Sequence, residues 1–374
     1  MKPGFLQSYL EAFPTIQGFF TFDAALLFMA YNQLIRADGI SGEALEIGVH
    51  HGLSAIAVGS LVQAGRRFVA LDLFEMQDSN RSRSGAGNRE LFLNNMQTFF
   101  EDPGFIEIIA GSSSELQPEA LGSQFSFCHI DGGHSPEETY HDLQLCSSIL
   151  LPGGLLALDD YFNPSFPGVS EGAIRFKLDH GDRLKPIAIG FNKVLFQKLP
   201  APGELNDVFA STFKQLPTQQ SILWGTPVNY FTSSLLPFFD LQNSGKDCLV
   251  LKDLPDVAAS FAPQAMKIEA EPAQLLRLPV TVQNRSGAPF PHGKATFGLS
   301  YHLLSAGGEI LKFDNARSYF EAPLQPDSSL TIDLSINAPV ERGSYLLEID
   351  LVWEGMWWFK ERGNPTCTVE LTVI

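Results

Sequence analysis

The sequence lacks an excess of positive charge. Its 25 Lys and Arg stand against 42 Asp and Glu, for a net charge of −17. A phosphate backbone needs the opposite balance, so the composition argues against a nucleic-acid partner. It argues equally against attraction to an anionic membrane surface. No run of about 18 apolar residues occurs, so no membrane span is expected. Cysteine is scarce: Cys128, Cys146, Cys248 and Cys367 lie far apart and form no CxxC pair. They read as reduced, mostly buried thiols, which makes a cytoplasmic protein the expectation. The opening Met-Lys-Pro-Gly-Phe carries no signal-peptide pattern. Internal repeats and low-complexity tracts are also lacking.

What is present is enough apolar material for a sizeable core. Hydrophobic residues make up 44% of the 374 positions and charged residues 18%, and that length suits two domains. Residues 1–40 look helical. A strand–turn–helix pattern then repeats. Strands are expected at Ala44–Val49, Arg67–Leu73, Phe105–Ala110, Phe125–Ile130 and Leu155–Leu158. Helices are expected at Ser54–Ala64 and at Pro136–Leu150, the latter capped by Ser135 and closed by Pro152-Gly153-Gly154. Near-continuous apolar strands alternating with helices predict a Rossmann-like, doubly wound, mostly parallel α/β sheet over 1–200. Lys185–Lys198 offers two further strands. Residues 201–257, rich in proline, read as a connecting segment. Over 258–374 alternating stretches such as S-L-T-I-D-L-S-I, spaced by turn residues, predict an all-β, immunoglobulin-like sandwich.

The first strand leads into E-I-G-V-H-H-G-L-S (46–54). Gly48 and Gly52 permit a tight turn and a close approach of backbone to ligand. Asp72 ends the second strand, where a carboxylate can accept hydrogen bonds from ribose hydroxyls. The pattern E-x-G-x-x-x-G is not the G-x-G-x-x-G of a dinucleotide site. A carboxylate at Glu46 would repel a pyrophosphate but suits the cationic S-adenosylmethionine. The blander reading leaves both glycines serving a turn alone. The polar loop 76–90 is either a solvated insertion or a lid over a ligand.

The segment F-S-F-C-H-I-D-G-G-H (125–134) ends a strand in a carboxylate, two glycines and an imidazole. Asp159 and Asp160 end the next strand. Three carboxylates at one rim would raise one another's pKa, and a divalent cation relieves that repulsion. Oxygen ligands favour Mg²⁺, Mn²⁺ or Ca²⁺ over zinc, so Asp131, Asp159 and Asp160 are the expected metal ligands. Taken alone, Asp159 reads equally as a helix cap. His134 suits a general base, with His51 as second choice. His129 reads as a strand residue satisfied by a core hydrogen bond.

Together with F-V-A-L-D-L-F and L-L-P-G-G-L-L-A-L-D-D-Y, these stretches resemble class I S-adenosylmethionine-dependent methyltransferases over about residues 15–200. The resemblance is greatest to the small-molecule O-methyltransferase branch that includes macrocin O-methyltransferase-like enzymes. It implies S-adenosylmethionine as cofactor, with Glu46 and Gly48 near its methionine part and Asp72 at its ribose. Ser112 and Ser113 would meet the adenine edge, and Gly52, Ser54 and Asp131 join the cofactor-binding set. It also implies Mg²⁺ on Asp131, Asp159 and Asp160, and a catalytic pair of His134 and Asp131. Relatives often carry a second Asp, a candidate base, where this chain has Gly133. The implied acceptor is a hydroxyl of a small molecule, sugar or glycan. A metal-free N-methyltransferase and a carbohydrate-binding protein with a vestigial fold are the alternatives, and a homo-oligomer is compatible with the sequence.

The stretch E-I-D-L-V-W-E-G-M-W-W-F-K-E-R-G-N-P (348–365) resembles sandwich domains of bacterial polysaccharide-processing and export proteins. Trp353, Trp357, Trp358 and Phe359 are either a sugar-stacking platform or sandwich core.

Overall fold

A computed structural model describes residues 4–80, 84–245, 248–254, 257–294 and 296–374. The chain divides into two units, Met1–Lys252 and Asp253–Ile374.

The first unit opens with helices α1 (Phe5–Ala12) and α2 (Phe22–Ala37). Thr21 caps α2 by accepting a hydrogen bond from the Ala24 N–H. Alternation follows: β1 (Glu43–Ile47), α3 (Leu53–Ser60), β2 (Phe68–Asp72), α4 (Arg89–Phe99), β3 (Ile106–Ala110), α5 (Pro118–Leu121) and β4 (Phe125–Ile130). Then come α6 (Pro136–Ile149), β5 (Leu150–Asp159), α7 (Pro167–His180), β6 (Leu184–Gly190) and β7 (Lys193–Lys198). The unit closes with α8 (Leu205–Thr212), β8 (Thr218–Leu223) and β9 (Thr226–Phe231).

These strands form one sheet in the order β3-β2-β1-β4-β5-β7-β6-β9-β8. The first five are parallel and β7 returns antiparallel to β5. Leu45, Ile47, Val69, Cys128, Ile130, Leu156 and Leu158 carry one side of its core. The chain leaves β1 for β2 on one side and reaches β4 on the other. The carboxyl ends of β1 and β4 therefore splay apart at a switch point, where open α/β sheets bind ligands.

Two stretches depart from the sequence reading. Residues 201–252 do not merely connect: they add α8 and the β8–β9 hairpin, with β9 parallel to β6. The hairpin lies at the sheet edge and Thr218–Leu223 has no fully buried position, so its apolar signal is weak. The Pro152-Gly153-Gly154 turn is instead a bulge inside β5. Phe125 pairs with Leu150 and Phe127 with Leu155, which leaves the intervening residues without partners on β4. Gly153 has φ 79°, and a Cβ there would lie 2.4 Å from Ile40 Cδ1. Only glycine fits.

The second unit contains β10 (Ala259–Pro263), β11 (Lys267–Ala270), β12 (Leu275–Asn284), β13 (Phe297–Ser305) and β14 (Ile310–Lys312). It continues with β15 (Ser318–Tyr319), β16 (Ser329–Asn337), β17 (Gly343–Trp353), β18 (Trp357–Trp358) and β19 (Cys367–Val373). One sheet runs β10-β12-β16, the other β11-β19-β17-β13-β14 with β15 and β18 on its flanks. Val280, Val282, Leu334 and Ile336 of the first sheet share a core with Leu299, Tyr301, Leu347, Ile349 and Leu371 of the second. The alternation read from sequence is this inward-facing set. The aromatic platform does not form: Trp357 and Trp358 are 6% and 7% exposed and Phe359 is fully buried. Arg362 lies over the Trp357 ring and Arg317 over the Trp358 ring, so each of these buried rings already packs against a cation of the chain.

Candidate active site at the carboxyl ends of the strands

A cleft of about 680 Å³ opens at the switch point, within the usual size of a small-molecule site. All of its lining residues belong to the first unit. Gly48, Ser54, Asp72, Ser112, Ser113, Asp131, His134, Asp159 and Asp160 all line it. Nine of the residues singled out from sequence thus meet around one space.

The turn after β1 is built around Gly48. Its φ is 88°, and a Cβ would fall 1.9 Å from the Asp131 carbonyl oxygen. That close approach brings the ends of β1 and β4 together, with the Asp131 N–H donating to the Ile47 carbonyl at 2.8 Å. Gly52 does not reach the cleft. It begins α3 with φ 93° and packs against Phe92. Asp72 holds the turn from the side, accepting hydrogen bonds from the backbone N–H of His50 at 2.8 Å and of Phe74 at 2.6 Å. His50, at the lip, has φ 48°. Burial, then the neighbouring His51, lowers its pKa. His51 is buried and does not line the cleft.

Glu46 departs from expectation. It does not line the cleft but lies fully buried beneath it. Its Oε1 meets His129 Nδ1 at 2.8 Å, and the two residues are directly paired across β1 and β4. His129 therefore has its core hydrogen bond. Glu46 Oε2 has no hydrogen-bond partner among the described residues.

The Asp-Gly-Gly-His segment now has a physical account. A Cβ at Gly132 would lie 2.9 Å from Ile47 Cγ2, and one at Gly133 would lie 2.4 Å from Glu138 Cδ. The second glycine makes room for a carboxylate from elsewhere. Glu138 lines the cleft and closes a capping box with Ser135 at the start of α6. The sequence reading singled out Ser135 as the cap; the S-x-x-E spacing was the signal that could have found Glu138.

His134 is held on three sides. Its Nε2 lies 3.0 Å from Asp160 Oδ2 and its Nδ1 lies 3.1 Å from Ser84 Oγ. Its ring stacks on Phe166 at 3.8 Å. Burial alone would raise the Asp160 pKa, but hydrogen bonds from His134, Asn163 and Asn192 outweigh it and hold the carboxyl at about 2. Asp160 also adopts φ 60°, a conformation that costs a non-glycine residue about 1 kcal/mol or more and collects at functional sites. Ser84, Gly85 and Gly87, from the polar loop read as either a solvated insertion or a lid, line the cleft. Arg81, Ser82 and Arg83 of that loop lie outside the described residues.

Asp131 meets each of the other two expected metal ligands separately, Asp159 in one set and Asp160 in another. Ligand atoms within 4.8 Å of one another form two overlapping sets: His129, Asp131 and Asp159, and Asp131, His134 and Asp160. The donors already on these carboxylates nevertheless do not suit a divalent ion. Asp159 Oδ2 accepts from the Lys193 ammonium at 2.5 Å, and its Oδ1 from Asn192 Nδ2 and the Asp160 N–H. Asp160 Oδ1 accepts from the Asn163 and Asn192 amides. Only the Asp131 carboxylate carries no donor among the described residues. The Lys193 ammonium already supplies Asp159 with a positive charge, and a dication bound there would face that like charge. Asp131 instead answers to its surroundings by a raised pKa, through burial first and then the charge of Asp159.

Residues 45–161 match the methyltransferase-domain family. Solved structures are similar too. The O-methyltransferase NovP is 16% identical, with 47% of this chain and 80% of that chain covered and a TM-score of 0.41. The O-methyltransferase from Bacillus cereus in complex with SAH is 18% identical, covering 53% and 91%, with a TM-score of 0.36. A TDP-rhamnose 3'-O-methyltransferase of calicheamicin biosynthesis is 17% identical, covering 52% and 92%, with a TM-score of 0.35. No curated protein matches the sequence. The family match lies wholly within the first unit.

Proposed function

We propose that the protein methylates a hydroxyl oxygen of a small polyhydroxylated acceptor, such as a sugar or glycosylated metabolite, with His134 as general base. The observation that carries this reading is the His134 environment. Asp160, ionised well below neutral pH, accepts from Nε2–H and so fixes the tautomer. The lone pair of Nδ1 then faces the cleft, where a hydroxyl, that of Ser84, already lies 3.1 Å away. That hydroxyl marks where an acceptor oxygen would sit.

In this reading Gly48, Ser54 and Asp131 surround the methionine part of the cofactor, Asp72 takes the ribose, and Ser112 and Ser113 border the adenine. Gly52 and Glu46 act from behind, one by starting α3 and one by holding His129. S-Adenosylmethionine, when bound, would supply a methyl group from a positively charged sulfur, whose bond to that methyl breaks to leave neutral S-adenosylhomocysteine. His134 Nδ1 takes the acceptor's proton as the new oxygen–carbon bond forms. The stacking of His134 on Phe166 and its bond to Asp160 hold the base in place, so that most of the gain is orientation. At the cleft's edge Phe19, 83% exposed, offers an aromatic face for the apolar side of a sugar ring.

The test is mass spectrometry of hydroxylated sugars and glycosides incubated with S-adenosylmethionine. One methyl gained on oxygen by the wild-type chain, and lost with His134→Gln, is the expected result. Methylation at nitrogen alone would replace this reading with an N-methyltransferase.

A further inference from the structure

Lys193 carries no signal in the linear sequence: it is one lysine at the start of a strand. The fold gives it a singular place. It stands directly opposite Asp159 in the antiparallel β5–β7 pair and is 2% exposed. Its ammonium lies 2.5 Å from Asp159 Oδ2 and 4.8 Å from the centre of the Phe20 ring. A lysine is almost never so buried without a partner. Around it are the acids Glu46, Asp131, Asp159 and Asp160, with His129 and His134, and it is the one lysine or arginine paired to them among the described residues.

We propose that Lys193, buried behind the cleft wall, is the resident cation of the Asp131–Asp159–Asp160 cluster, taking the place of a divalent ion, and that the enzyme works without one. The assignment rests on the function proposed above, but its geometry stands alone. The ammonium neutralises Asp159, which otherwise would face Asp131 as a second buried negative charge. It also fixes Asp159, whose other oxygen accepts from the Asp160 N–H and from Asn192. Asn192 and Asp160 in turn meet at 2.6 Å, and Asp160 holds His134. Lys193 is thus a positioning residue. It orders, through Asp159 and Asp160, the imidazole that takes the proton.

The experiment uses Mn²⁺ alone as probe on the full chain, followed by its electron spin resonance. Binding of S-adenosylhomocysteine is measured in parallel by calorimetry, with and without EDTA. The wild-type chain is expected to leave the free Mn²⁺ signal undiminished, and EDTA to leave the S-adenosylhomocysteine affinity unchanged. Lys193→Met and the closer-shaped Lys193→Gln are expected to gain one Mn²⁺ site, which Asp159→Asn then abolishes. Lys193→Arg, which keeps the charge, is expected to stay closed to Mn²⁺. A wild-type Mn²⁺ site that disappears with Asp131→Asn overturns the proposal. So does absence of any Mn²⁺ site in a folded Lys193→Met or Lys193→Gln. Should neither variant fold, the wild-type titration decides by itself. Failure to bind S-adenosylhomocysteine would count against the proposed function and leave the Mn²⁺ result to judge Lys193.

Discussion

Glu46 Oε1 and His129 Nδ1 lie 2.8 Å apart with both side chains at zero exposure. They are cross-strand neighbours on β1 and β4, so the pair ties together the two strands whose ends open the cleft. Removing one partner of a buried pair leaves the other unsatisfied. Glu46→Ala is therefore expected to lower stability by about 3 kcal/mol. Glu46→Gln, which keeps the shape and an acceptor, should cost about 1 kcal/mol. Urea unfolding separates the two. Equal midpoints for both variants and the wild type would mean that the pair contributes nothing.

Asp131 gives a pH dependence of stability with a defined sign. Burial and the charge of Asp159 raise its folded pKa above the ordinary 3.8. Such an acid binds its proton more tightly folded than unfolded. Its ionisation therefore destabilises the fold as pH rises above about 4. Asp131→Asn is expected to unfold at a higher temperature than wild type at pH 7. The difference should shrink toward pH 4 and vanish below it. Thermal melts across that range check this, and a variant less stable at pH 7 than wild type would contradict it.

Asp160 behaves in the opposite way. Its folded pKa of about 2 lies below the ordinary 3.8. Its hydrogen bonds therefore stabilise the fold above pH 4, and that contribution is lost as pH falls through 2. Acid unfolding followed by circular dichroism should show wild type losing stability over this window and Asp160→Asn losing less.

The base assignment predicts a split between chemistry and binding. His134→Gln is expected to lower the methyl-transfer rate by about 10²–10⁴-fold while leaving S-adenosylhomocysteine affinity unchanged in calorimetry. Asp160→Asn should lower the rate less, because it loosens the imidazole without removing it. A His134→Gln variant with full turnover would move the role of base to another group, and Glu138, beside Gly133, would be the next to test.

Gly48 is the backbone counterpart. With φ 88° and a Cβ 1.9 Å from the Asp131 carbonyl, Gly48→Ala must push β1 and β4 apart. S-Adenosylhomocysteine binding is expected to weaken about tenfold or more, equivalent to at least ~1.4 kcal/mol. Unchanged affinity would mean that the cofactor does not use this turn.

Much of this was legible in the chain because it is local. Hydrophobic periodicity marked the strands, Ser135 marked the start of α6, and Asp72, Asp131 and Asp159 could each be placed at a strand end. Parallel strands bring their carboxyl ends to one rim, so residues read separately could be expected to meet there. The β8–β9 hairpin was not legible, because an edge strand such as Thr218–Leu223 buries too little to leave an apolar pattern. Nor was the bulge at Pro152-Gly153-Gly154, whose turn-forming residues are the same ones a loop would use.

The sequence by itself determined the alternation of elements, the positions of the acids and glycines, and the resemblance to a methyltransferase. Tertiary structure alone decided which side chains answer one another. Lys193 lies 34 positions from Asp159, and Glu46 lies 83 from His129. What makes them partners is strand order and register. A shift of one residue along β7 would turn Lys193 to the other face of the sheet and leave Asp159 without its cation.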